Sequence, residues 1–191
     1  MTTDLVRARI DAAIDVYSRL AESADVIAAA AAAVVDAYRG GGKLVIFGNG
    51  GSAADAQHIA AEFVGRFAIE RDPLPALALS VNTSAVTAIA NDYGFDQVFS
   101  RQLRGLASPE DVALGISTSG RSPNVNGALE AARAMGMTTV GMTGGSGGDM
   151  PALCDHCVVI PSDATPRIQE GHILVAHVLC EIVESAIATG G

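Results

Sequence analysis

His58 and Glu62 stand four residues apart in the stretch FGNGGSAADAQHIAAEF, where a packed core needs neither. On a helix that spacing puts both on one face. Two chemistries fit: a pair of ligands for one divalent metal, or a carboxylate base beside an orienting imidazole. A surface hydrogen-bonded pair has the same spacing. Near the other end, RIQEGHILVAHVLCEIVE sets Gln169, His172 and His177 among apolar residues. A lone histidine there reads as a satisfied core residue. Taken with His58 and Glu62, His177 becomes a candidate third ligand or proton donor.

A different chemistry belongs to STSGRSPN. Ser117, Thr118, Ser119 and Ser122 place four hydroxyls around Gly120. The segment lies between a β-branched run and a helical pattern, so backbone N–H groups and the positive helix end add to the hydroxyls. That combination is an anion cradle suited to phosphate. The plainer reading is a turn with Ser122 as helix N-cap. The glycine-rich turn GNGGSA at 48–53 fits neither the dinucleotide fingerprint nor a P-loop, since it has the wrong glycine spacing and no lysine. Glycines there let a substrate approach the backbone closely, and Ser52 either caps the following helix or touches a ligand.

These residues need elements to hold them. Residues 3–39 read as helix, broken near Ala21–Ala24 into two, with Ser23 as N-cap of the second and Gly40–Gly42 ending it. The second helix is apolar almost all round, which predicts burial in the domain or, the favoured reading, against another subunit. From Lys43 onward β-branched runs alternate with helical patterns. The predicted strands are Lys43–Phe47, Ala76–Leu79, Asp111–Ile116, Thr138–Met142 and His156–Ile160. The predicted helices are 52–66, 83–91, 95–106, 123–135 and 168–187. This alternation implies an α/β fold, a parallel sheet covered on both faces, in a single domain over 1–191 with residues 1–40 as a helical oligomerisation segment. Ligands bind beyond the carboxyl ends of such strands, which is where the loops at 48–53, 117–124 and 143–149 belong.

Composition narrows the function. The chain has 191 residues, 49% hydrophobic, and a net charge of −9. An acidic surface without a Lys/Arg run argues against nucleic acid and anionic membrane as partners. The N-terminal MTTDLVRARID lacks an apolar h-region, so a soluble cytoplasmic protein is expected. Cys154 and Cys157 form a C-x-x-C without a second pair, and buried, inert thiols are expected.

Together GNGGSAADAQHIAAEFVGRF, AIANDYGFDQVFSRQL, GISTSGRSPNV and RIQEGHILVAHVLCEIVE resemble the sugar isomerase (SIS) family, with the phosphoheptose isomerases the nearest match. The resemblance implies a five-stranded parallel sheet between helices, in a flavodoxin-like α/β/α arrangement. It also implies a homotetramer with active sites at subunit interfaces. It implies one zinc per subunit, bound through His58, Glu62, Gln169 and His177. Phosphate falls to Ser117, Thr118, Ser119 and Ser122. Sugar hydroxyls fall to Ser52, Arg66, Asp92 and Thr118, with Asn49, Gly50, Gly51 and Gln169 also at the substrate. Some relatives carry an acid where this chain has Pro166, which removes one polar sugar contact. The implied reaction is isomerisation of sedoheptulose 7-phosphate to D-glycero-D-manno-heptose 7-phosphate through an enediol, with Glu62 as base and His177 as general acid. A metal-bound carboxylate is a weaker base, so the two roles of Glu62 compete. The resemblance leaves two alternatives: a non-catalytic tetramer that binds the replication initiator DnaA, and another phosphosugar isomerase.

One geometric constraint follows. Gln169 and His177 are eight residues apart, about 12 Å along a continuous helix. Either the helix begins after Gln169 or is distorted, or the two residues reach one ion from different subunits.

Overall fold

The computed structural model describes residues 1–188. The β-branched runs form five strands: β1 (Leu44–Gly48), β2 (Ala76–Ala78), β3 (Val112–Ile116), β4 (Thr138–Gly144) and β5 (His156–Ile160). All pair in parallel, in the order β2-β1-β3-β4-β5, with Leu44 opposite Val112 and Val112 opposite Thr138. Alternate side chains leave opposite faces of the sheet. In β1, Leu44 and Ile46 join one core while Val45 and Phe47 join the other.

Among the described residues seven α-helices cover the sheet: α1 (Thr2–Leu20), α2 (Ala24–Arg39), α3 (Gly51–Val64), α4 (Thr83–Tyr93), α5 (Val98–Leu106), α6 (Pro123–Ala134) and α7 (Thr165–Ala188). α1, α2, α3 and α7 close the first core, through residues such as Leu20, Val34, Phe63 and Leu179. The second core is closed by α4, α5 and α6, through residues such as Ile89, Phe99 and Leu129.

Several expectations need correction. A 3₁₀ turn at Ala21–Ser23 does separate α1 from α2, but the Ser23 side chain makes no cap hydrogen bond. The apolar stripe of α2 (Ile27, Ala30, Ala31, Val34, Val35) is buried within its own subunit, while Ala28 and Ala32 stay exposed. It is α1 that leaves Val6, Ile10, Ile14 and Tyr17 exposed on one helical stripe. Cys154 and Cys157 are half-buried rather than buried, while Cys180 is buried. α7 begins at Thr165, three residues before the predicted start at 168.

α7 is long and apolar enough to cross a membrane, but here it is a core helix, with Ile168, Val175, Leu179 and Val183 packed into the first core. Its His172 is wholly buried and its Nε2 donates to the Thr143 carbonyl at 3.1 Å. Burial pushes the imidazole pKa from its ordinary 6.5 down to about 4. The folded chain therefore keeps His172 neutral where the unfolded chain takes up a proton. Stability is present in full above pH 6.5 and is lost as pH falls toward 4, by on the order of 3 kcal/mol from this group. Urea denaturation between pH 4 and 7 is expected to show that slope, and His172→Gln to flatten it.

Candidate active site

The sheet order reverses between β1 and β3, and the crevice outside their carboxyl ends is the natural ligand site of an open α/β sheet. The loops after these strands are tied across it. Asn49 and Asn124 exchange two side-chain hydrogen bonds, of 2.8 and 2.9 Å. Gly50 makes the turn into α3 with φ +56° and ψ −119°, a conformation that favours glycine. A Cβ on Gly51 would lie 2.3 Å from Gln169 Nε2, so that glycine admits α7 against the start of α3. Ser52 is buried, and its backbone N–H bonds the Asn49 carbonyl at 3.0 Å.

The four hydroxyls of the loop after β3 divide into two pairs. Ser117 is buried and its Oγ lies 2.9 Å from Ser122 Oγ. Ser122 is thus the N-cap of α6 by position but makes no side-chain cap bond. Thr118 and Ser119 open onto a cavity of about 200 Å³, lined also by Arg121, Ser146 and Thr165. The loop is shaped by glycine. Gly120 has φ +64°, and a Cβ there would fall 1.9 Å from the Gly147 carbonyl oxygen. Gly120→Ala is expected to lower stability by about 2 kcal/mol or more and to raise KM for the phosphorylated substrate. Denaturation and steady-state kinetics check both.

The second centre lies between α3 and α7. His58 Nε2 sits 3.0 Å from His177 Nε2 and 3.3 Å from Glu62 Oε1. One donor atom from each of the three residues falls within 4.8 Å of the others. The rings of His58 and His177 are 5.3 Å apart between centroids, and the Phe67 ring lies 5.5 Å from that of His177. Two imidazole nitrogens and a carboxylate oxygen suit zinc. Ligands of a tetrahedral zinc at about 2.0–2.1 Å are separated by roughly 3.3 Å, close to the spacing found. The three residues present fit the ion.

Gln169, the fourth expected ligand, lies by the first residue of α3. α7 is one continuous helix from Thr165, so the reading in which it begins after Gln169 is excluded. Arg66, just past α3, has an exposed side chain that pairs with Glu70 at 3.5 Å. Asp92 is exposed on α4 and accepts from Asn91 at 2.8 Å. Among the described residues neither is hydrogen-bonded to the His58–Glu62–His177 cluster. The sequence reading also passed over Asn124, Phe67 and the buried pair Arg71–Glu184. The one signal for the last was an acid in the apolar half of α7, seven residues after His177.

Comparisons with known proteins place the chain in a family. The SIS domain family model matches residues 10–144. The phosphoheptose isomerase of Rhodospirillum rubrum is 51% identical over 97% of this chain and 99% of its own length. That of a Roseiflexus species is 57% identical over 93% of this chain and 91% of its own. The chain belongs to the phosphoheptose isomerase family of SIS-domain proteins. The structure of the phosphoheptose isomerase of Neisseria gonorrhoeae superposes with a TM-score of 0.92 at 41% identity, covering 97% of this chain and all of that one. The phosphoheptose isomerase of Francisella tularensis gives 0.93 at 36% identity. The fold and the enzyme class, an aldose–ketose isomerase, are those of the phosphoheptose isomerases.

Proposed function

We propose that this site converts sedoheptulose 7-phosphate into D-glycero-D-manno-heptose 7-phosphate, supplying a heptose for nucleotide activation. The observation that carries the reading is the convergence of His58, Glu62 and His177 from two helices, one of which starts at the hydroxyl-bearing crevice. Seven residues of α3 separate Gly51 from His58, about 10 Å along the axis. A ligand that joins the two centres must be elongated, as an open-chain sugar phosphate is.

In the reaction, Glu62 takes a proton from C1 of the ketose while His177 gives one to the C2 oxygen. The C1–H electron pair becomes the double bond of an enediol. Glu62, its carboxyl proton exchanging with solvent while the enediol lasts, then gives a proton to C2, and the C1 hydroxyl proton leaves to His177, so the carbonyl stands at C1. His58, Glu62 and His177 would hold a zinc ion, which when bound polarises the carbonyl and stabilises the enediolate. Ser117, Thr118, Ser119 and Ser122 would grip the phosphate. Asn49, Gly50, Gly51, Ser52, Arg66 and Asp92 would face the sugar.

The functional unit is read as a homotetramer. Support comes from the exposed stripe of Val6, Ile10, Ile14 and Tyr17, and from the position of Gln169 by the first residue of α3. Gln169 would then complete the zinc site of a neighbour. The protein is read as cytoplasmic, without nucleic-acid or membrane partners, in keeping with its net charge of −9.

Incubation of the purified protein with sedoheptulose 7-phosphate, followed by NMR with and without a chelator, tests the reaction. Aldose product that falls away with chelator and returns with Zn²⁺ is expected. No turnover with any divalent metal would leave the fold as a scaffold.

A further inference from the structure

Arg71 and Glu184 are among the most enclosed charges in the molecule, with side chains 5% and 1% exposed. Neither belongs to the acid–base machinery described above. Burying such a pair is costly unless its remaining donors and acceptors are met. Here most are met, and by one particular stretch of chain.

Glu184 accepts three backbone N–H bonds in succession: from Phe67 at 2.9 Å, Ala68 at 2.7 Å and Ile69 at 2.8 Å. Burial alone would raise its pKa, but these donors and Arg71 lower it, so the carboxylate stays charged. Arg71 Nε lies 3.2 Å from Glu184 Oε1, near enough for charge attraction although not aligned as a hydrogen bond. The rest of the guanidinium faces the end of α3. Its Nη2 donates to the Glu62 carbonyl at 2.9 Å, and its Nη1 to those of Phe63 at 2.9 Å, Gly65 at 3.3 Å and Asp72 at 3.0 Å. The last carbonyls of a helix have no partner within it, and a cation there also meets the negative end of the helix dipole.

What this pair joins is the point. Arg71 fixes the turn of α3 that carries Glu62. Glu184 fixes the segment 67–69, whose Phe67 ring rests on the His177 imidazole at 5.5 Å. Glu184 itself stands seven residues beyond His177, two turns along the same face of α7. One ion pair thus spans the two helices whose side chains must meet for proton transfer.

We propose that Arg71 and Glu184 are positioning residues that set the separation of Glu62, His58 and His177. They touch no substrate. Their effect is to hold the end of α3 and the Phe67 segment on α7, so that the cluster keeps hydrogen-bonding distances. The proposal rests on the isomerase reading above.

The test is Glu184→Gln, beside Val183→Ala as a control that loosens the same turn of the core without touching the network. Glu184→Gln removes one charge and half of the acceptor. It is expected to lower kcat by about 10- to 100-fold with KM within about threefold, as loss of a supporting shell does. Val183→Ala is expected to lose stability but keep kcat. A crystal structure of Glu184→Gln is expected to show segment 67–69 lifted from α7 and the His58–His177 Nε2 separation widened from 3.0 Å. Arg71→Lys, which keeps the charge but cannot cover four carbonyls, gives a second route if Glu184→Gln does not fold.

A folded variant of either kind with near wild-type kcat and an unmoved cluster overturns the proposal. So does failure of both to fold, which would make the pair a requirement of folding alone. Should the wild type have no isomerase activity, the proposed reaction falls, and the crystallographic separation by itself decides the positioning role.

Discussion

Glu62→Gln is expected to lower kcat by about 10³- to 10⁴-fold, the upper part of the rate factor that a general base contributes. That corresponds to roughly 4–5 kcal/mol of transition-state stabilisation. The amide is isosteric and cannot accept a carbon-bound proton. The fold has little reason to respond, because the Glu62 side chain is 22% exposed and its backbone carbonyl, not its carboxylate, is bonded to Arg71. Stopped or steady-state assays with sedoheptulose 7-phosphate measure the loss, and gel filtration measures assembly. Loss of assembly with the activity would mark Glu62 as structural.

His177→Gln is expected to cost about 10²- to 10³-fold in kcat and to weaken zinc binding in parallel. Its imidazole has two neighbours to lose: His58 Nε2 at 3.0 Å and the Phe67 ring at 5.5 Å. Glutamine can still hydrogen-bond His58 but cannot cycle a proton at the sugar oxygens near neutral pH. Zn²⁺ titration and kcat, measured on the same preparation, separate the two contributions. Unchanged zinc affinity together with unchanged kcat would return His177 to the role of a core histidine.

Much of this was readable from the chain because it depends on local pattern. Runs such as LVIF and VALGI, separated by helical spacing, give strands of a parallel sheet directly. His58 and Glu62 share a face by spacing alone, and they do meet. The meeting of His58 with His177 is a contact between residues 119 apart; residue types offer His177 as a candidate third member, and only the resemblance implies the ligand set.

What stayed hidden was whatever depends on tertiary packing. The four hydroxyls of STSGRSPN still read as one phosphate site; what local pattern does not show is that Ser117 and Ser122 pair while Thr118 and Ser119 line the cavity. The apolar circumference of α2 read as a subunit interface, and the sequence cannot say that α7 and the sheet cover one stripe of it while Ala28 and Ala32 stay exposed. The Arg71–Glu184 pair left almost no trace, since nothing in the spacing of Glu170, Glu181 and Glu184 along α7 marks the last as buried. The start of α7 was misplaced because Pro166 fits the first turn of a helix, where its missing N–H costs nothing.

Isomerisation of sedoheptulose 7-phosphate in D₂O is the most direct measurement. Proton transfer through a solvent-reached carboxylate at Glu62 puts deuterium on C2 of the aldose, and Glu62→Gln forms neither product nor label. Product that carries no solvent deuterium at C2, or Glu62→Gln turning over at the wild-type rate, would contradict it.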